Sequence, residues 1–120
     1  MQSLAGLLHA QKQTAIQFRS EPIRKRKERI RVVHQWILKH QDDIRAAVHA
    51  DFGKPFQEVD STDIFPVTAE INHILHHLDE WVRPKLADTP ITMLGVKGEI
   101  RYEPRGTCLI IAPWNFPFNL

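Results

Sequence analysis

The stretch IIAPWNFPFNL, residues 110–120, sets one asparagine, Asn115, between Trp114 and Phe116 and between two prolines, Pro113 and Pro117. An amide held by two prolines has few backbone conformations to choose from. Its NH2 group is a candidate donor to an oxygen that gains negative charge during a reaction, where preorganised donors stabilise the transition state. The alternative reading of the same residues is an Asn that satisfies only its own turn.

Other residue groups invite chemistry and are read more plainly. HILHH puts His73 and His77 one helical turn apart, but no Cys is near and the H-E-x-x-H pattern is absent, so an exposed helix face opposite Ile71, Ile74 and Leu78 is preferred and no metal site is expected. Seven of the thirteen residues from Arg19 to Arg31 are Lys or Arg, against two Glu. No aromatic residues interleave with them, as a single-strand binder would want, so a solvated helix face is preferred to nucleic-acid binding. DFG at 51–53 lacks the kinase H-R-D and glycine loops upstream, and Gly53 reads as a helix end. Cys108 lies within an apolar run without a neighbouring His, and a buried, inert thiol is expected there.

The elements that must position Asn115 follow from periodicity. A first helix is expected over residues 2–18, through Leu4, Leu7, Leu8, Ile16 and Phe18. Ser20 reads as the cap of a second, with Pro22 in its early turn, and Ile30, Val33 and Ile37 share one face. HQDD at 40–43 interrupts the pattern, and Asp42 and Asp43 suit the first turn of a third helix carrying Ile44, Ala47 and Val48. Gly53 and Pro55 stop it. A fourth helix is expected to begin near Ser61, or at Pro66, and to run through Val67, Ile71, Ile74, Leu75, Leu78 and Trp81 to Pro84. Beyond Pro84 the helical period is lost, and Gly98 between Val96 and Ile100 suggests a strand or hairpin. TCLIIA, residues 107–112, is a β-branched apolar run of the kind buried on both faces in a parallel sheet, which points to an α/β fold. The Asn115 turn then lies at the sheet's C-terminal edge, where ligands of such sheets bind. A parallel strand needs neighbours, none follows in the sequence, and a fragment of a larger protein is expected.

With 120 residues, 42% hydrophobic, 25% charged and a formal charge of +2, the chain suits at most one modest globular domain. That charge alone argues for neither nucleic acid nor membrane. No apolar run approaches the ~18 residues of a membrane span, and the N-terminus lacks the basic and apolar regions of a signal peptide. A single cysteine excludes an internal disulfide framework. A soluble, cytoplasmic protein is expected.

EPRGTCLIIAPWNFPFNL resembles the segment of the aldehyde dehydrogenase superfamily built around P-W-N-[FY]-P, and ADFGKP (50–55), LDEWVRP (78–84) and TPITMLG (89–95) resemble its class-3-like branch. The likeness covers essentially all of this chain and the N-terminal part of the family's length. It implies NAD- or NADP-dependent oxidation of an aldehyde to an acid, through a cysteine thiohemiacetal. It implies that Asn115 stabilises the oxyanion, and that Ile111, Ala112, Pro113 and Trp114 line the cofactor cleft. It further implies a helical part of the cofactor-binding domain at 1–84 and a bridging, oligomerisation hairpin at 85–106. The first strand and turn of a Rossmann-like domain would fall at 107–120, in a homodimeric enzyme. The family's strand lysine, glycine-rich loop, glutamate base and nucleophilic cysteine are missing; Cys108 precedes the motif and cannot replace the last. Ala112 stands where the family often has Ile or Gly. The fragment alone is expected to be inactive. A helical interaction module or truncated pseudo-enzyme docking on another subunit is the alternative, and a basic nucleic-acid binder is the weaker one.

Overall fold

The computed structural model describes residues 3–93 and 95–120. The expected helix start at residue 2 and Leu94 of TPITMLG lie outside them. Helix α1 spans Leu4–Arg19, and the Ser3 hydroxyl caps it by accepting the Gly6 N–H at 3.1 Å. Ser20 does not cap the next helix. It closes α1, and its hydroxyl donates to the Gln17 carbonyl at 3.0 Å. Pro22 takes the N-cap position of α2, Ile23–Lys39. Proline's fixed φ suits that extended position, and it has no N–H to leave unsatisfied there. Helix α3, Gln41–Phe52, carries Asp42 and Asp43 in its first turn and ends, as expected, on Gly53 at φ +66°.

The next helix starts earlier than expected. A short α4, Phe56–Val59, follows Pro55, passes through a π-helical turn at Asp60–Ile64, and continues as α5, Phe65–Trp81. Ser61 and Pro66 therefore lie inside the helical run rather than at its start. Beyond α5, β1 (Lys85–Ala87) pairs antiparallel with β2 (Gly98–Ile100), with Leu86 opposite Glu99 and Ala87 opposite Gly98. A Cβ on Gly98 would meet Thr89 Cγ2 at 3.3 Å, so the narrow hairpin favours glycine there.

The chain divides into two compact units, Met1–Glu21 with His77–Cys108, and Pro22–His76 with Leu109–Leu120. The first holds α1, the end of α5 and the hairpin; Leu78 is buried in it, and Arg19 pairs with Glu103. The second holds the main core: Ile37 from α2, Ile44 and Val48 from α3, Val59 from α4, Ile64 from the π turn and Ile71 from α5, with Phe118 packed against them.

Residues 107–112 depart from expectation. They form no strand ladder, and Leu109, Ile110 and Ile111 are 86%, 84% and 86% exposed. A parallel strand is buried by strands on either side, and among the described residues none lies beside this one. For the same reason the Cys108 thiol is exposed rather than buried.

Candidate functional site

The Pro113–Pro117 segment bends at residues 114–116 and turns at 117–119, and the Leu120 N–H donates to the Phe116 carbonyl at 3.0 Å. Asn115 is exposed, as are Ile111, Ala112, Pro113 and Trp114, the last by 83%. The side chains just after Asn115 turn inward: Phe116, Phe118 and Asn119 are partly buried. The amide thus stands free beside an apolar, accessible run, while the chain that follows it is held from below.

What holds it is an ion pair whose carboxylate is buried. Asp63, in the π turn, is fully buried, and its Oδ2 accepts from Lys54 Nζ at 3.1 Å. The Thr62 hydroxyl lies 2.9 Å from the same oxygen and 2.8 Å from the Glu58 carbonyl. The other oxygen, Oδ1, accepts the backbone N–H of Phe118 at 3.4 Å. A buried carboxylate is tolerated only when paired and hydrogen-bonded, and each oxygen of Asp63 has a donor. Lys54 does a second job, with its ammonium 4.5 Å from the centre of the Phe116 ring.

Local sequence puts these groups there. Gly53 in the left-handed region ends α3, and Pro55 opens α4 one residue after Lys54, so Lys54 occupies the reversal between two helices. The reversal is fixed by a 2.8 Å contact between His49 Nδ1 and the Lys54 carbonyl. Pro66 lacks the N–H that would reach the carbonyl four residues back, that of Thr62. The Asn119 side-chain amide donates to that carbonyl at 3.2 Å. Arg45 ties α3 to the π turn, at 2.6 Å from Asp60 and 2.5 Å from Asp42. The hydrogen bond to Asp60 raises the guanidinium's pKa further above its ordinary value, with Asp42 adding to it.

The residues singled out at 111–115 are therefore contiguous on one accessible stretch, and the groups that hold it, Lys54, Asp63, Thr62 and Asn119, are ones the sequence reading missed. A signal existed: a proline within an apolar-striped helix implies a carbonyl that needs another donor. Among the described residues no group of three or more His, Cys, Asp or Glu side chains is placed to hold a metal. Among the same residues no helix is long and apolar enough to cross a membrane. In the basic run, Glu28 takes Arg24 at 2.5 Å and Lys25 at 3.2 Å, which offsets part of its charge.

The Aldehyde dehydrogenase family model matches residues 5–120. The chain belongs to the aldehyde dehydrogenase family. It is 37% identical over 95 residues to the 4,4'-diaponeurosporen-aldehyde dehydrogenase of Staphylococcus aureus, covering 79% of this chain and 21% of that protein. It is 32% identical over 109 residues to aldehyde dehydrogenase family 3 member A2 of Pongo abelii, covering 91% and 22%. These relatives agree with the class-3-like resemblance. The substrate-bound state of Staphylococcus aureus AldH superposes with a TM-score of 0.92 at 31% identity, over 99% of this chain and 26% of that one. The helices and two-stranded sheet are thus the fold of the N-terminal part of an aldehyde dehydrogenase, and the chain spans about a fifth to a quarter of its relatives' length.

Proposed function

We propose that the chain is the N-terminal part of an NAD- or NADP-dependent aldehyde dehydrogenase that oxidises an aldehyde to a carboxylic acid. The observation that carries this reading is the P-W-N-F-P turn: its amide is exposed, and the chain just after it is tied to the buried Asp63. In this reading a cysteine outside residues 1–120 attacks the aldehyde. The carbonyl oxygen becomes an oxyanion, and the NH2 of Asn115 donates to it. A neutral amide aimed beforehand needs no proton transfer and little reorganisation, which is why such donors lower barriers. Ile111, Ala112, Pro113 and Trp114 would hold the cofactor. Their exposed apolar surface next to a polar amide suits a flat nicotinamide ring and its ribose. When bound, NAD(P) accepts hydride. The chain's own part is to present that surface, to exclude water from it and to orient the oxygen.

The same reading assigns residues 1–84 to the helical part of the cofactor-binding domain and 85–106 to a bridging hairpin in a homodimer. Residues 107–120 become the first strand and catalytic turn of a Rossmann-like domain, in a cytoplasmic enzyme. An Asn115→Ala substitution in the full-length enzyme should lower kcat by about 10²–10³, the usual loss of one oxyanion donor. An unchanged kcat with chemistry rate-limiting would remove Asn115 from the mechanism. A second reading, a segment that docks on another subunit, draws on the exposure of Leu109, Ile110 and Ile111.

A further inference from the structure

We propose that Asp63, held by Lys54, is a positioning residue for catalysis: it fixes the turn that aims the Asn115 amide. The inference rests on the reading of Asn115 as the oxyanion donor. Four observations converge on it. Asp63 is fully buried within a π-helical turn, an element that interrupts an otherwise α-helical run. Its Oδ1 accepts the Phe118 N–H, three residues beyond Asn115 and 55 residues away in sequence. Its Lys54 partner lies beneath the ring of Phe116, the residue directly after Asn115. The neighbouring Thr62 carbonyl takes the side-chain amide of Asn119. The π turn thus offers a carboxylate oxygen to Phe118, a carbonyl to Asn119 and, through Lys54, a cation to Phe116, three sites of one short segment. Phe118 adds packing against the core. Asn115 itself has no part in these contacts and stays exposed.

The division of labour is physical. An oxyanion donor must meet an oxygen within a few tenths of an ångström, and a misplacement of about 1 Å costs up to about 10² in rate. Asn115 cannot be fixed by its own burial, because its NH2 must stay available. Its aim is set instead by residues that are buried. A carboxylate suits this task, since its two oxygens serve two donors at once: Oδ2 holds Lys54 and Oδ1 holds the backbone.

The test is a mutational cycle in the full-length enzyme, with thermal unfolding of each variant measured beside its kinetics. Asp63→Ala should lower kcat about 10-fold or more while moving the aldehyde KM little. Asp63→Asn still offers an oxygen to the Phe118 N–H, and should recover most of that loss although it breaks the ion pair. In the Asn115→Ala background, Asp63→Ala should cost no further activity, because both act through the same amide. Losses that multiply, or a folded Asp63→Ala enzyme with kcat within twofold of the parent, would overturn the proposal. If Asp63→Ala does not fold, Asn119→Ala decides. It removes only the amide to Thr62, and the same non-additivity with Asn115→Ala is expected, whereas an unchanged or multiplying kcat would count against the anchor. An unaffected Asn115→Ala enzyme would defeat the oxyanion reading and this inference with it. An impaired Asn115→Ala beside a fully active Asp63→Ala would defeat this inference alone.

Discussion

Gly53 shows how much one residue decides here. At φ +66° it adopts a conformation that L side chains rarely reach, with open space around it. Its role is therefore backbone freedom rather than close packing. That freedom reverses the chain so that Lys54 enters the interior and meets Asp63. The DFG that contains it is a helix end followed by a partly buried cation, and has nothing to do with a kinase. Glu28 shows the opposite case, a residue that acts only at the surface. Hydrogen bonding to Lys25, then the nearby charge of Arg24 and Lys25, holds its carboxyl below the ordinary 4.5. A lowered carboxylate pKa contributes stability above the unfolded value and loses it as pH falls through the folded one. The melting temperature of Glu28→Gln should therefore lie slightly below the parent's at neutral pH, and the two should converge as the pH is taken below 4.5. A gap that persists in acid would show that packing, not charge, sets the difference.

Among the elements, α2 and α3 carry the core of the second unit. Ile44 is 6% exposed within it, whereas Ile16 of α1 is 65% exposed. Ile44→Ala should cost about 2–5 kcal/mol by urea unfolding, the range for truncating a buried Ile. Ile16→Ala should stay within about 0.5 kcal/mol. These two helices were legible from the sequence because Ile30 and Ile37 in α2, and Ile44 and Val48 in α3, keep a helical period that packing reinforces, and Gly53 marked the end of α3. The π turn was not legible. Pro66 reads as a helix start, since proline favours first turns. In the structure the missing N–H is compensated from outside the helix, by Asn119, and a local pattern cannot report a donor so distant in sequence. The strand at 107–112 failed for a related reason. A Leu- and Ile-rich composition states what a segment needs, burial on both faces, but not whether the chain around it provides neighbours. Asn115 was legible as a confined amide. Its anchor was not, because Lys54 lies in the reversal between α3 and α4 and Asp63 in the π turn, and they become partners only when these have packed.

At the scale of the molecule, the family and fold rest on the match over residues 5–120 and the TM-score of 0.92, while the proposed chemistry rests on one short turn. The unit that carries this turn is assembled from two stretches of chain, 22–76 and 109–120. The bond from the Phe118 N–H to Asp63 closes a loop of 55 residues. That discontinuity has a consequence in time. Helices α2 and α3 are built from contacts close in sequence, which form early, whereas a long loop must lose its closure entropy before its contacts reward it. The turn that carries Asn115, the proposed oxyanion donor, should then be installed late in folding, on a platform already standing. In pulse-labelled hydrogen exchange during refolding, the amides of α2 and α3 should gain protection first, and that of Phe118 after them. Simultaneous protection would mean that the platform itself waits for the returning segment. If the order holds, the chain sets the Asn115 turn as one of its final acts of folding, and an intermediate lacking only that step would be compact and helical, with the turn not yet closed.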